Sequence, residues 1–572
     1  MLLSLLLAAA PLTTVAENSA WTKTGRYDEV ERLCAAFPKA YPGKVKCERF
    51  GTTPLGRPML SLIASADGTF TPEQTRAKNR PVVLLQGGIH AGEIDGKDAG
   101  FWLLRDLLDG KTAPKSLAAV TLVFVPVFNI DGHERFGDNQ RPNQRGPEQM
   151  GWRVTSQNLN LNRDYMKADA PEMLAMLSLL HRFDPVMYAD LHVTDGAKFQ
   201  HDVSVTFEPQ RIGTTPMQAQ GKALRAALFP KLEAQGHLPV GFYPSFDDAD
   251  DPQSGFTSGW APPRFGNAYW ALNHRFGLLV ETHSWKPYAV RVKSTYDVCA
   301  GLLEEATLHG REWLTEARAA DLAATRLAGT DVVLTTEATQ VNKPFDFQGY
   351  EYTRTKSEVS GKFWVQYDET RPQVWKLQVR DELQPSLVIR APLAGYVIPS
   401  SHAPLVAARL TAHGLKFEVM KKARPQLAVE HMVIEPTIKS PSYEGHATLI
   451  VKGSWTRATE DLLAGSLFVP IAQPHAEVVM HLFEPTAPDS LVAWGFFDAH
   501  TEQKEYLEDY LTEAFARDQL KDPAVKAAFD ERLKDPAFTK DPNARLQFFA
   551  RRHPSWDARM NLVPIYRVAV AP

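Results

Sequence analysis

The chain has 572 residues, 44% of them hydrophobic and 23% charged, and a formal net charge of -4. That length exceeds one ordinary hydrophobic core and predicts two or three domains. The near balance of charge, with no basic block anywhere, gives no electrostatic reason to expect nucleic acid as a partner.

Residues 1–16 are apolar from Leu2 to Ala10, reach small residues at Thr14-Val15-Ala16 and turn polar at Glu17. The run is too short to span a bilayer. It reads as a secretory signal peptide cleaved after Ala16, although no Lys or Arg stands near Met1. No other stretch has the length of a membrane span, so a periplasmic or secreted protein is expected. Cys34 and Cys47 are near enough in sequence to pair in an oxidising compartment, leaving Cys299 single. Three buried thiols are the alternative.

Residues 17–325 alternate strand-like and helix-like stretches. Arg80-Pro81 introduces the continuous apolar run 82–85, of the buried parallel-strand kind. Residues 95–108 read as a helix with an apolar face ended by Gly110, 120–127 as a strand, 171–180 as a helix and 186–193 as a strand. A helix over 218–228 and a strand over 276–281 follow. This rhythm predicts an α/β domain with a mixed, largely parallel central sheet and helices on both faces. From 330 to 495 the runs 332–336, 362–366, 386–390 and 448–452 look like strands between Pro, Gly and Asp turns, which predicts a β-rich domain built as a sandwich. Residues 496–572 turn polar and helical. The echo of Leu520-Lys-Asp-Pro-Ala524 in Leu533-Lys-Asp-Pro-Ala537 predicts two helix starts, with Asp as cap and Pro in the first turn.

His90 and Glu93 lie on the loop after the strand 82–85, and His192 ends the strand 186–193. Both positions fall at the carboxyl edge of the sheet, where open α/β sheets bind their ligands. Two imidazoles and one carboxylate are the donor set of a catalytic zinc, which keeps its fourth position for water. Asp190, one pleat from His192, is placed to orient an imidazole.

Taken in order, His90-Ala-Gly-Glu93, Phe128-Asn-Ile-Asp-Gly132, Asn160-Leu-Asn162-Arg163-Asp164, Pro171-Glu172, Leu191-His192 and Val280-Glu281-Thr282 resemble the zinc carboxypeptidases of the carboxypeptidase A type. Gly56-Arg57-Pro58 fits the same pattern, and the resemblance spans roughly 20–320. It implies the zinc carboxypeptidase fold and one Zn2+ per chain held by His90, Glu93 and His192. It also implies Glu281 as general base, since a carboxylate beside the metal can take a proton from water and pass it to a leaving amine. Asn162 and Arg163 match the pair that grips the C-terminal carboxylate of a peptide substrate, a task that suits the planar fork of arginine. Arg153, in Gly151-Trp-Arg-Val154, matches the arginine that stabilises negative charge on the scissile carbonyl oxygen, with Arg141 and Arg145 as alternatives.

Several positions depart from the family. Gly92 stands where digestive members carry an arginine, and Asp164 replaces an asparagine. The family's mobile tyrosine falls between 243 and 270, with Tyr243 and Tyr269 both open. Phe242, Tyr243, Phe246, Phe256, Trp260, Phe265, Tyr269 and Trp270 either line an apolar pocket or pack an irregular segment. The acidic run 247–251 is either a solvated loop or a lure for a cation or basic substrate. The expectation is a metallocarboxypeptidase. The alternatives are a γ-D-glutamyl peptidase of cell-wall stem peptides, a deacylase of N-acyl amino acids, and a non-catalytic peptide- or glycan-binding protein.

Overall fold

The computed structural model describes residues 12–572, so residues 1–11 of the expected leader lie outside the described residues. Residues 12–18 are tied down: Thr14 caps the helix Val15–Asn18, Ala16 is fully buried, and Arg105 donates to Leu12 O and pairs with Glu17. No helix among the described residues is long and apolar enough to cross a membrane.

The first half of the chain supplies β1 (Val45–Thr52), β2 (Pro58–Ala64), β3 (Val82–Gly87), β4 (Thr121–Val125), β5 (Met187–Val193), β6 (Val203–Glu208), β7 (Pro239–Val240), β8 (Phe256–Thr257) and β9 (Phe276–Thr282). All but β8 form one eight-stranded sheet in the order β1-β2-β4-β3-β5-β9-β6-β7. Its central block, β4-β3-β5-β9, is parallel throughout, while β1, β2 and β6 pair antiparallel. Every residue of β3 is buried, as a strand covered on both faces requires. The pleat of β5 shows the two faces directly. Leu191 touches Gly96 on the helix Asp95–Leu108, whereas Tyr188, of opposite parity, reaches Gly266 on the helix Gly266–Leu272.

The helix Tyr288–Ala324 spans 37 residues, and the sequence reading did not include it. Its buried stripe, from Val292 through Leu302 to Leu314, packs against the helices Asp95–Leu108 and Thr215–Ala234. Cys34 and Cys47 are disulfide-bonded, tying the helix Tyr27–Ala40 to β1, and Cys299 is a buried free thiol.

Beyond residue 330 the strands are β10 (Asp331–Ala338), β11 (Lys343–Lys356), β12 (Phe363–Arg380), β13 (Leu383–Arg390), β14 (Gly395–Ile398), β15 (Glu418–Val419), β16 (Arg424–Tyr443), β17 (His446–Leu462), β18 (Leu467–Pro470) and β19 (Tyr566–Val568). They do not form the expected sandwich. They divide among a β10-β13 pair, a β11-β12 hairpin that continues onto β8, and a six-stranded sheet ordered β15-β18-β14-β19-β16-β17. The reason is that the long hairpins bury their apolar side chains against the α/β part rather than against each other. Phe347, Trp375, Leu377 and Val379 share a core with Phe199, Phe242 and Phe256. The final helices enclose a small core of Ala516, Phe529, Phe538 and Phe549. Asp522 and Asp535 cap two of them from in front of Pro523 and Pro536, as the echo predicts.

Candidate metal centre

The strand ends deliver the expected groups to one place. β3 runs out at Gly87 and turns at Gly88, whose φ of +63° is open to glycine without strain, and the loop then presents His90 and Glu93. β5 presents His192, and Glu281 on β9 stands opposite His192 in the parallel register. Potential ligand atoms of His90, Glu93 and His192 lie within 4.8 Å of one another, and all three residues are buried.

Both imidazoles aim the same nitrogen at the carboxylate. His90 Nδ1 is 2.9 Å from Glu93 Oε1, and His192 Nδ1 is 2.9 Å from Glu93 Oε2. The other ring nitrogens face outward: His90 Nε2 lies 3.1 Å from Asn160 Oδ1, and His192 Nε2 lies 3.0 Å from Asp190 Oδ2. The His192–Asp190 contact is close but not aligned as a hydrogen bond, since neither atom has a partner of good geometry. Such outer partners set the ring orientation of metal-binding histidines. The N, N, O donor set and the shared inward direction of the two Nδ1 atoms fit a zinc ion.

Charge in this buried site is strongly biased. Burial pushes His90 down to about 4 against the pull of Glu93, so its imidazole is neutral and free to ligate. Burial would raise Glu93, but Arg141 and the two imidazoles hold it well below the usual carboxylate range. Burial works against protonation of His192, yet the Asp190 and Glu281 carboxylates raise it well above its ordinary value. Burial lifts Glu281 to about 8. Glu281 Oε2 is buried with no hydrogen-bond partner, a state it shares in this site with Asp190 Oδ2 and one that leaves its oxygen free to take a proton.

The three arginines separate cleanly. Arg141 donates from Nη1 to Glu93 Oε1 at 2.6 Å and from Nη2 to Val193 O at 3.2 Å. It runs over Gly92, where a Cβ would stand 2.8 Å from Arg141 Cδ. Arg141 and the Gly151 carbonyl, both from another loop, thus fill the space that a side chain at position 92 would need. Arg145 turns away to Glu369. Arg153 reaches the centre, with Nη1 3.4 Å from Glu93 Oε1 and its side chain partly open to solvent. The Phe128–Gly132 motif holds its segment: Asn129 Nδ2 donates to Arg153 O, and Asp131 takes Arg57 Nη1 at 2.6 Å, which joins the Gly56-Arg57-Pro58 element to the same scaffold.

Asn162 is buried beside Asn160, whose Oδ1 accepts its N–H. Arg163 is half-buried, stacked 4.3 Å over the Phe265 ring, and does not pair with Asp164. Asp164 instead binds Lys167 and the N–H groups of Asp169 and Ala170. Tyr269 is buried away from the centre, hydrogen-bonded to His181 and His413. Tyr243 is 40% exposed, and burial around its hydroxyl and the Glu281 carboxylate both push that hydroxyl's pKa up. The remaining aromatics are mostly packing, since Phe242, Phe246 and Phe256 sit against the β11-β12 hairpin. The acidic run is pinned by Arg380 to Asp247 and by Arg354 to Asp250 and Asp251. A cavity of about 680 Å³ lined by Arg211, Lys222, Arg225, Lys343 and Phe242 includes none of His90, Glu93, His192 or Glu281.

No curated protein matches the chain. Among solved structures, it is similar to a metallo-carboxypeptidase from Burkholderia cenocepacia at 20% identity and TM-score 0.35, over 49% of this chain and 69% of that one. A Pseudomonas aeruginosa metallo-carboxypeptidase in complex with (2-guanidinoethylmercapto)succinic acid aligns at 17% identity and TM-score 0.37, over 50% and 69%. Carboxypeptidase A from Helicoverpa armigera aligns at 15% and 0.36, over 52% and 74%. Residues 30–211 match the family described as zinc carboxypeptidase, a span that holds His90, Glu93, Arg153, Asn162, Arg163 and His192, while Glu281 lies beyond it. Over residues 30–211, about a third of its length, the chain therefore fits the zinc carboxypeptidase family model.

Proposed function

We propose that the protein is a zinc-dependent metallocarboxypeptidase that hydrolyses the C-terminal peptide bond of peptides. The observation that carries this reading is the unpartnered Glu281 carboxylate set in register beside His192. When bound by His90, Glu93 and His192, a zinc ion supplies Lewis acidity that acidifies water and polarises a carbonyl. Glu281 accepts the proton of the attacking water at its free oxygen and returns it to the leaving amine. Arg153 donates to the carbonyl oxygen as negative charge develops there. Arg163 and Asn162 hold the terminal carboxylate, and that contact restricts cleavage to a chain end.

The disulfide between Cys34 and Cys47 and the apolar start support an exported, periplasmic or secreted protein. N-terminal sequencing of the exported protein tests the expected cut after Ala16, a residue that is buried in the full chain.

The test is Glu281→Gln assayed on N-blocked dipeptides with a free carboxylate, alongside γ-D-glutamyl dipeptides and N-acyl amino acids. Wild type is expected to release C-terminal residues, and the variant to lose at least about a hundredfold in kcat while keeping one zinc per chain. Stoichiometric zinc with no wild-type turnover on any of these would instead mark a binding protein.

A further inference from the structure

The turn joining β16 to β17 reaches the loop that carries Asn160, Asn162 and Arg163. Tyr443 Oη accepts from Arg163 Nε at 3.0 Å, and Glu444 Oε2 accepts from the Asn160 N–H at 2.7 Å. His446 Nε2 lies 2.6 Å from Asp169 Oδ2, and the Tyr443 ring stacks on Trp494 at 5.8 Å with the planes 11° apart. Glu444 has a φ of +51° and Gly445 of +83°, a two-residue turn with both central residues left-handed. Asn, Asp or Gly is the ordinary occupant of the first position, so Glu444 adopts it at a cost. A non-glycine residue held there by a specific contact is a reason to look for function.

The two contacts act on different parts of the metal centre. Asn160 Oδ1, on the residue whose N–H Glu444 holds, faces His90 Nε2 and also accepts the Asn162 N–H. Arg163 has five N–H groups. Tyr443 takes Nε and the Asn162 carbonyl takes one on Nη1 at 2.7 Å, while the other three have no hydrogen bond to a described residue. The hairpin tip thus turns the guanidinium so that its free edge is presented as a unit.

We infer that Tyr443 and Glu444 are positioning residues of the site that binds the substrate's terminal carboxylate, supplied by a hairpin some 280 residues along the chain. The inference rests on the reading of Arg163 as the carboxylate grip. It makes the β16-β17 hairpin part of the substrate site, and free C-terminal acids the ligands it selects.

The test is calorimetric binding of an N-acetyl dipeptide and of its C-terminal amide to the zinc-free full-length protein, with kcat and KM of the zinc-loaded protein beside it. Wild type is expected to favour the acid over the amide. Tyr443→Phe keeps the stack on Trp494 but loses the acceptor, and should weaken the acid about tenfold. The amide and kcat should stay nearly unchanged. Glu444→Gly relieves the turn, so its thermal midpoint should hold or rise while acid affinity falls below that of Glu444→Gln, which keeps an acceptor for Asn160. Variants that bind acid and amide as wild type does, or that weaken both equally while losing stability, overturn the inference and leave the proposed activity standing. A wild type that fails to prefer the acid overturns both.

Discussion

At the scale of single residues, the candidate metal centre separates groups that could hold an ion from groups that hold those side chains in place. Arg141 belongs to the second kind, since it grips Glu93 and two carbonyl groups yet is buried. Arg141→Met should weaken zinc affinity by about ten- to a hundredfold in a chelator competition. Arg153→Ala should instead leave zinc content intact and lower kcat by about a hundredfold or more, because its guanidinium faces the open side of the centre.

At the scale of elements, two links between segments give opposite handles on stability. The Cys34–Cys47 bond closes a short loop, with a sequence separation of 13. Its removal by Cys47→Ser should cost about 3 kcal/mol in denaturant unfolding. His274 joins three elements, with Nδ1 2.9 Å from Asp321 and Nε2 3.4 Å from Glu477. Burial opposes its charge, but the two carboxylates raise it to about 9 from an ordinary 6.5. A folded-state value above the unfolded one means the stabilisation is complete below pH 6.5 and fades as pH rises through 9. Thermal midpoints measured across that window should fall more steeply for wild type than for His274→Gln.

At the scale of the whole molecule, the metal and the extension act on one body. On the proposed reading zinc is held by side chains from loops and strands a hundred residues apart, which only the folded chain brings together, so saturating zinc at about a thousand times its dissociation constant should stabilise by about 4 kcal/mol. Scanning calorimetry before and after chelation measures it. Folding also returns the last strand to the middle of the post-330 region, since β19 pairs with β14 and β16. Cutting the chain after 330 strips Phe199, Phe242 and Phe256 of the hairpin that covers them. Such a truncation is expected to be poorly soluble, as judged by yield and by binding of a hydrophobic dye.

The sequence alone determined the α/β half and singled out His90, Glu93 and His192 as candidate ligands, which the fold brings together. Continuous apolar runs mark buried parallel strands, and a ligand triad at strand ends is readable from residue type and spacing. What it left open depended on distance in space. Among Arg141, Arg145 and Arg153, side-chain reach had to be seen, and the same holds for Tyr243 against Tyr269. The sandwich expected after 330 failed because strand patterns specify a buried face without specifying its partner. Only the tertiary structure showed that those faces turn back onto the first half, and that a turn at residues 444 and 445 ends beside Arg163.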